Sequence, residues 1–225
     1  MPTQTKENYL KAIYFLDQKD HKISITDLSK EMGVSTPTVN NMVKKLQSEG
    51  WVAYRKYKPL QLTAKGRKVA ALIVRKHRLA EMFLSKIMGF GWEEVHDIAE
   101  DMEHIASEKL FDRMDELLGY PTIDPHGSPI PDKEGKVASR SYLKLSDTKE
   151  GQRVRLCALA DSSTELLLFL NNKQIKLGTE IDVLKVEPFD KSLLVNYEQH
   201  PSVMLSHEVC RRLLVELVGA ELVDK

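Results

Sequence analysis

Apolar positions near the start of the chain recur at helical spacing. Tyr9, Leu10, Ile13 and Leu16 fall along one side of a helix over residues 4–17. Asp27 to Met32 predicts a short second helix closed at Gly33. Ser35-Thr36-Pro37 then reads as a helix start, because a hydroxyl can cap the free N–H groups and proline is tolerated in the first turn. In that third helix Val39, Met42, Val43 and Leu46 form the apolar stripe, which leaves Thr38, Asn40, Asn41, Lys44 and Lys45 facing outward. After Gly50 the run WVAYRKYKPLQLT alternates about Lys58-Pro59 and predicts a small hairpin. A helix is expected from Lys65 to about Leu84, with Val69, Leu72, Ile73, Leu79 and Phe83 apolar, and Gly89 and Gly91 interrupt it. A second helical block is expected from Trp92 or Glu93 to about Leu118, ending at Gly119-Tyr120-Pro121. Residues 121–150 are rich in Pro, Gly and Asp and read as a linker. Beyond it RVRLCALA, ELLLFL, TEIDVLKVE, SLLVNY and LLVELV are short β-prone runs divided by turn signals such as Asn171-Asn172 and Gly178, the pattern of a small antiparallel barrel.

Composition narrows the class. With 225 residues and 42% hydrophobic positions the chain can bury a sizeable core, which excludes a disordered tail. No run of 18 apolar residues is present, and MPTQTKENYL lacks the apolar stretch of a secretion signal, so a cytoplasmic protein without a membrane partner is expected. Cys157 and Cys210 are the two cysteines, too few and too far apart for a disulfide scaffold or a thiolate zinc site. The net charge of zero hides a strong asymmetry. Residues 1–80 carry 16 Lys+Arg against 6 Asp+Glu, whereas residues 81–140 carry 6 against 14.

Helix, short helix, glycine turn, capped helix and basic hairpin describe a winged helix-turn-helix, and its excess positive charge suits a polyanion such as double-stranded DNA. An α-helix fits the major groove, where Ser35, Thr36, Pro37, Thr38 and Asn41 would lie nearest the bases, with Asn40 beside them. Lys44, Lys45, Arg55, Lys56 and Lys58 would hold the module on phosphates. A winged helix used only for protein contacts is the competing reading, and the surplus of ten positive charges argues against it. Helices appended to such a head commonly build a homodimer, whose two-fold symmetry would match a palindromic operator.

A second constellation lies further on. His77 and Glu81 stand four apart on one predicted helix, and His96, Glu100, Glu103 and His104 stand at i, i+4, i+7 and i+8 on the next. If those helices pack together, imidazoles and carboxylates converge without Lys or Arg between them. They would repel unless a divalent cation supplies the compensating charge. The bland alternative is a solvated acidic helix face. Catalysis is disfavoured, since no GxSxG, HExxH, P-loop or GxGxxG pattern is present and no small organic substrate is implied.

These residues resemble a known family, the metal-dependent repressors related to the diphtheria toxin repressor and the manganese transport regulators. The resemblance covers nearly the whole chain. It rests on ENYLKAIY, SxPTVxxMVxxL, LQLTAKGRKVA, VRKHRLAEMFL, VHDIAEDMEHIAS and HGSPIP. It implies an α+β protein with a winged helix-turn-helix DNA-binding domain over 1–64, a helical metal-binding and dimerisation domain over 65–120, a linker over 121–150 and an SH3-like β-barrel over 151–225. In such proteins a divalent metal orders the first helix against the dimerisation helices and sets the spacing of two reading heads.

Carried over by position, the resemblance implies that Glu100, Glu103 and His104 form the primary regulatory site, with Asn8 where the family supplies a ligand from the first helix. His77, Glu81 and His96 correspond to the second site, which Ser162 and Glu165 of the terminal module would complete. Some relatives use a Cys and a His in the linker as ligands, and the equivalent positions are Asp124 and His126. Iron-responsive members tend to carry sulfur where this chain has Asn8 and Glu100, whereas manganese-responsive members carry carboxylates. Glu100 therefore points to Mn²⁺ rather than Fe²⁺, because oxygen donors favour the harder ion, while the neutral amide of Asn8 is a weaker donor. Two rivals are a winged-helix regulator answering an organic effector, whose DNA affinity chelation would not change, and a metalloenzyme or metal-storage protein, which would show no salt-dependent DNA binding.

Overall fold

Three helices open the chain, α1 (Gln4–Lys19), α2 (Ile25–Glu31) and α3 (Thr36–Ser48). The computed structural model describes residues 2–19, 22–55, 58–138 and 140–219. α2 starts in a reciprocal cap: Ser24 Oγ accepts from the Asp27 backbone N–H at 3.1 Å, and Asp27 Oδ2 accepts from the Ser24 backbone N–H at 3.0 Å. It stops where Gly33 turns through a φ of +63°. At the head of α3 Ser35 Oγ accepts from the Thr38 N–H and Pro37 sits in the first turn, as the sequence predicts. Val39, Val43 and Leu46 are fully buried against Leu10, Ile13 and Leu28, so the stripe read from periodicity is the core of the head.

Strands β1 (Val52–Ala53) and β2 (Gln61–Leu62) pair antiparallel, Val52 opposite Leu62, and make the predicted hairpin. Thr63 then caps α4 (Ala64–Lys86), its Oγ1 accepting from the Gly66 N–H at 3.0 Å. Gly66 is required by sterics, because a Cβ there would run into the carbonyl group of Trp51. α1 and α4 pack on one another, and Ala70, Ala71, Ile73 and Val74 of α4 complete the core begun by α1.

The helical block expected from residue 92 to 118 is two helices, α5 (Val95–Met102) and α6 (Glu108–Leu117). Ser107 starts α6 by accepting from the Leu110 N–H at 3.3 Å, and Glu103 and His104 lie in the turn that closes α5 rather than on a continuous face. Apolar periodicity continued across the break and hid it. α6 packs on α4 through Phe111 and Met114 and through the buried pair of Arg75 and Asp115, Nη2 to Oδ2 at 2.5 Å.

The supposed linker is a second correction. The chain forms two compact units, the first comprising residues 1–88, 97–122 and 129–138, the second 89–96, 123–128 and 139–225. Residues 121–150 thus pass between the units more than once. Within the first unit they are strapped down: Arg75 Nη1 donates to the Pro131 carbonyl at 2.6 Å, Arg78 Nη1 to the Pro129 carbonyl at 2.5 Å, and Ile130 is buried. Pro and Gly marked turns here, but arginines from α4 hold the turns in place.

The second unit is a six-stranded antiparallel sheet in the order β3-β8-β4-β5-β6-β7. Its strands are β3 (Leu143–Lys144), β4 (Arg153–Leu159), β5 (Glu180–Val186), β6 (Leu193–Tyr197), β7 (His200–Leu205) and β8 (Leu213–Leu217), with a 3-10 turn at Leu145–Asp147 and a one-turn α8 (His207–Cys210). Register shifts at Leu156/Ala158, Val183/Lys185 and Val195/Tyr197 bend the strands, as β-bulges do. Alternation puts Val154, Leu156, Ile181, Val183, Leu193 and Val195 in its core. The sheet unit starts before residue 151, since β3 pairs with β8. ELLLFL, expected as a strand, lies in helix α7 (Thr164–Asn172), burying Leu166, Leu167 and Leu170. Leucines after Ser163, with no branch at Cβ, suit a helix better than a β-branched run would, a difference that hydrophobicity alone does not register.

Two stability effects follow. Gly66→Ala is expected to lower the stability of the first unit by about 1–3 kcal/mol, the usual cost of overpacking, measured as a shift of the urea midpoint at unchanged slope. Asp115→Ala leaves the partly buried Arg75 guanidinium with the Pro131 carbonyl but without its carboxylate, and should cost about 1–3 kcal/mol in the same experiment.

Candidate functional site

On the outer face of the head, the sequence-predicted residues divide by exposure as the helical stripe requires. Ser35, Thr36, Pro37, Thr38, Asn41, Lys44 and Lys45 are exposed and Asn40 is half-buried. Arg55 and Lys58 are exposed on the hairpin, and Lys56 lies outside the described residues. A recess beside the wing is lined by Gln47, Tyr54, Arg55, Lys58 and Gln61. Four of the proposed contacts, Ser35, Thr36, Pro37 and Thr38, therefore form the cap and first turn of α3, where the helix dipole also favours an anion.

The second group of residues converges inside the first unit. α1 contributes Glu7, Asn8 and Lys11, α4 contributes His77 and Glu81, and the end of α5 contributes Glu100, Glu103 and His104. Glu103 is completely buried. Its Oε2 accepts from His77 Nδ1 at 2.7 Å and from Lys11 Nζ at 2.8 Å. Its Oε1 lies 2.7 Å from Lys11 Nζ, an ion pair without hydrogen-bond alignment, and 3.7 Å from His104 Nε2. Lys11 Nζ also donates to Glu100 Oε1 at 2.5 Å. His104 Nδ1 meets Glu7 Oε2 at 2.6 Å, and His77 Nε2 meets Glu81 Oε1 at 3.1 Å.

Burial works against a charge on the His77 ring, but the Glu103 and Glu81 carboxylates on its two nitrogens outweigh it and hold the pKa up at about 9. At neutral pH the ring is an imidazolium with both N–H groups donated. Its favourable contribution is complete below the ordinary histidine range and is lost as pH rises through about 9. A metal ion binding a His77 nitrogen would have to release that proton.

The donor set fits a divalent cation. One ligand atom each from His77, Glu100 and Glu103 lie within 4.8 Å of one another. The buried Asn8 Oδ1 has no hydrogen-bond partner among the described residues, an unused oxygen on the helix that carries Glu7 and Lys11. The donors are oxygen and nitrogen. Neither thiol is readily ionised: burial, aided by the Glu216 charge, pushes the Cys157 thiol up to about 11, and burial pushes Cys210 to about 12.

One expectation fails here. The reading from sequence has the carboxylates meeting without a basic side chain between them, yet Lys11 stands between Glu100 and Glu103. Glu7 and Lys11 are absent from the sequence expectations, which treat α1 as a hydrophobic stripe. The available signal was a lysine flanked by Leu10 and Ala12 on the buried side of that helix.

The remaining residues expected to bind metal belong to the second unit. His96 is exposed on the first turn of α5. Asp124 is buried, its Oδ1 accepting from the backbone N–H groups of His126 at 2.8 Å and Ser128 at 2.9 Å. His126 is buried, its Nε2 at 2.8 Å from the Trp92 carbonyl and its ring stacked on the Trp92 indole. Ser162 and Glu165 are exposed at the start of α7.

Comparison with known proteins gives this geometry a family. Residues 1–60 match the N-terminal DNA-binding domain of iron dependent repressors, residues 63–132 their metal binding and dimerisation domain, and residues 143–217 the FeoA domain. The iron-dependent repressor of Mycobacterium leprae is 29% identical over 226 residues, covering 95% of this chain and 97% of that protein. The diphtheria toxin repressor of Corynebacterium efficiens is 30% identical over 190 residues, or 80% and 83%. Among solved structures, a manganese-dependent transcriptional repressor in complex with manganese superimposes with a TM-score of 0.85 at 31% identity, over 95% of this chain and all of that one. ScaR with bound Cd²⁺ gives 0.80 at 32%, over 95% and 99%. A basic winged head, a cation-ready cluster behind it and a terminal FeoA sheet in one chain place this protein in the diphtheria toxin repressor family, as a metal-dependent transcriptional repressor and not an enzyme.

Proposed function

We propose that this protein is a manganese-activated, homodimeric repressor that binds a palindromic operator of metal-uptake genes. The observation that carries the reading is the buried Glu103, around which His77, Glu100 and His104 gather with the unpartnered amide oxygen of Asn8. An all-oxygen-and-nitrogen set favours Mn²⁺ over softer ions. The likeness to a repressor solved with manganese supports this choice. Fe²⁺ is the second reading, favoured by the iron-dependent relatives that match 95% of the chain.

Glu100 and Glu103 would hold the ion together with His104 and Asn8, the positions the family resemblance implies, and with His77, whose ligand atom converges on the same two carboxylates; the ion would supply positive charge between α1 and the end of α5. The chain's part is to position these groups. α4 fixes His77 against Glu103, while α1 carries Asn8 in the same helix that packs beneath the DNA-facing head. A change in how α1 meets α5 therefore reaches the head through the core of Leu10, Ile13 and Val43. If the arrangement that binds operator also binds metal more tightly, occupancy shifts the population toward it, and DNA raises metal affinity in return.

The decisive measurement is operator binding by chelator-stripped protein titrated with Mn²⁺, Fe²⁺ and Zn²⁺ at fixed salt. Activation by Mn²⁺ at the lowest free concentration is expected; a response to none of the three overturns the metal reading, and preference for Fe²⁺ overturns the choice of ion. Glu103→Ala and His104→Ala should each raise the metal concentration needed for half-maximal operator binding by at least about tenfold. Lys44→Ala and Lys45→Ala should weaken binding to all sequences alike and reduce the slope of log affinity against log salt by about one each, as loss of a phosphate contact requires.

A further inference from the structure

The ammonium of Lys11 sits where charge compensation is needed most. It lies 2.5 Å from Glu100 Oε1 and within 2.8 Å of both oxygens of Glu103. Glu103 has no exposure to solvent, and the Lys11 side chain has 10%. A buried carboxylate without a cation is strongly destabilised or takes up a proton. The two carboxylates come from the end of α5 and the lysine from α1, 89 and 92 residues away in sequence, so the contact is made by packing alone.

We propose that Lys11 is a tethered cation that bridges α1 to α5 in the metal-free protein and competes with the activating dication for Glu100 and Glu103. The inference rests on the metal-site reading above and adds a regulatory element to it. The ammonium and a dication repel one another and draw on the same carboxylate oxygens, so a metal bound there displaces Lys11. The lysine thus raises the metal concentration at which the site fills, and it spares the metal-free site the repulsion of two adjacent carboxylates. Asn8 Oδ1, on the same helix as Lys11, has no hydrogen-bond partner among the described residues.

The test uses the full chain and Mn²⁺ alone. Equilibrium dialysis with metal analysis is run on the parent, Lys11→Met and the double variant Lys11→Met/Glu103→Gln, with thermal melting in chelator and in saturating Mn²⁺. Lys11→Met should bind Mn²⁺ at least tenfold more tightly than the parent. It should melt lower than the parent in chelator and recover in Mn²⁺, and the double variant should lose the gain in affinity. Parent and Lys11→Met binding with equal affinity would overturn the competition while leaving the metal site intact. Failure of both to bind Mn²⁺ would overturn the metal site and this proposal together. A second measurement needs no variant: acylation of Lys11 by an amine-reactive ester, followed by peptide mass spectrometry, should speed up several-fold when Mn²⁺ is added to the parent. Unchanged or slower labelling of Lys11 in saturating Mn²⁺ counts against expulsion and overturns the proposal.

Discussion

A fully buried carboxylate has to be matched by positive charge, and the Glu103 side chain imposes that demand on three elements at once. Lys11 reaches it from α1, His77 from α4, and His104 stands beside it in the turn that closes α5. Each partner fixes the next. His77 is held protonated by carboxylates on both of its nitrogens, and His104 is held by Glu7. The geometry of the first unit therefore depends on which cation satisfies one acidic side chain. A dication would offer such a group two charges where an ammonium offers one.

Transmission from this centre to the head follows from shared packing. α1 is both a wall of the DNA-facing core and the carrier of Glu7, Asn8 and Lys11. Tightly packed cores do not absorb small displacements smoothly, so a change on one side of α1 is felt on the other. The Arg75 and Arg78 contacts to the Pro131 and Pro129 carbonyls brace α4, on which α1 packs. In the second unit the bulged sheet makes a separate core, with Val154, Ile181 and Val195 at its centre.

Much of the head was legible from sequence because its signals are local. Ser35 before Thr36-Pro37, the stripe of Val39, Val43 and Leu46, and the alternation around Lys58-Pro59 each lie within a dozen residues, and each made the element it predicted. The failures share a different cause. ELLLFL was ambiguous because a short apolar run suits a strand or a buried helix equally by pattern. The break at Glu103 to Ser107 escaped because spacing alone does not register where a backbone turns. Residues 121–150 looked like a linker because the arginines that pin them belong to α4, some fifty residues earlier.

The candidate site divides along the same line. Residue chemistry marked His77, Glu81, His96, Glu100, Glu103 and His104 as candidate ligands, since paired imidazoles and carboxylates at helical spacing stand out in a linear reading. Only the tertiary structure decided what stands between them. Lys11 enters the cluster through the packing of α1 across 92 residues of chain, and Asn8 becomes an oxygen without a partner only once that packing encloses it. Periodicity says which face of a helix is buried; the field inside the protein, which sets the charge on His77 and the cation on Glu103, arises only when distant faces meet.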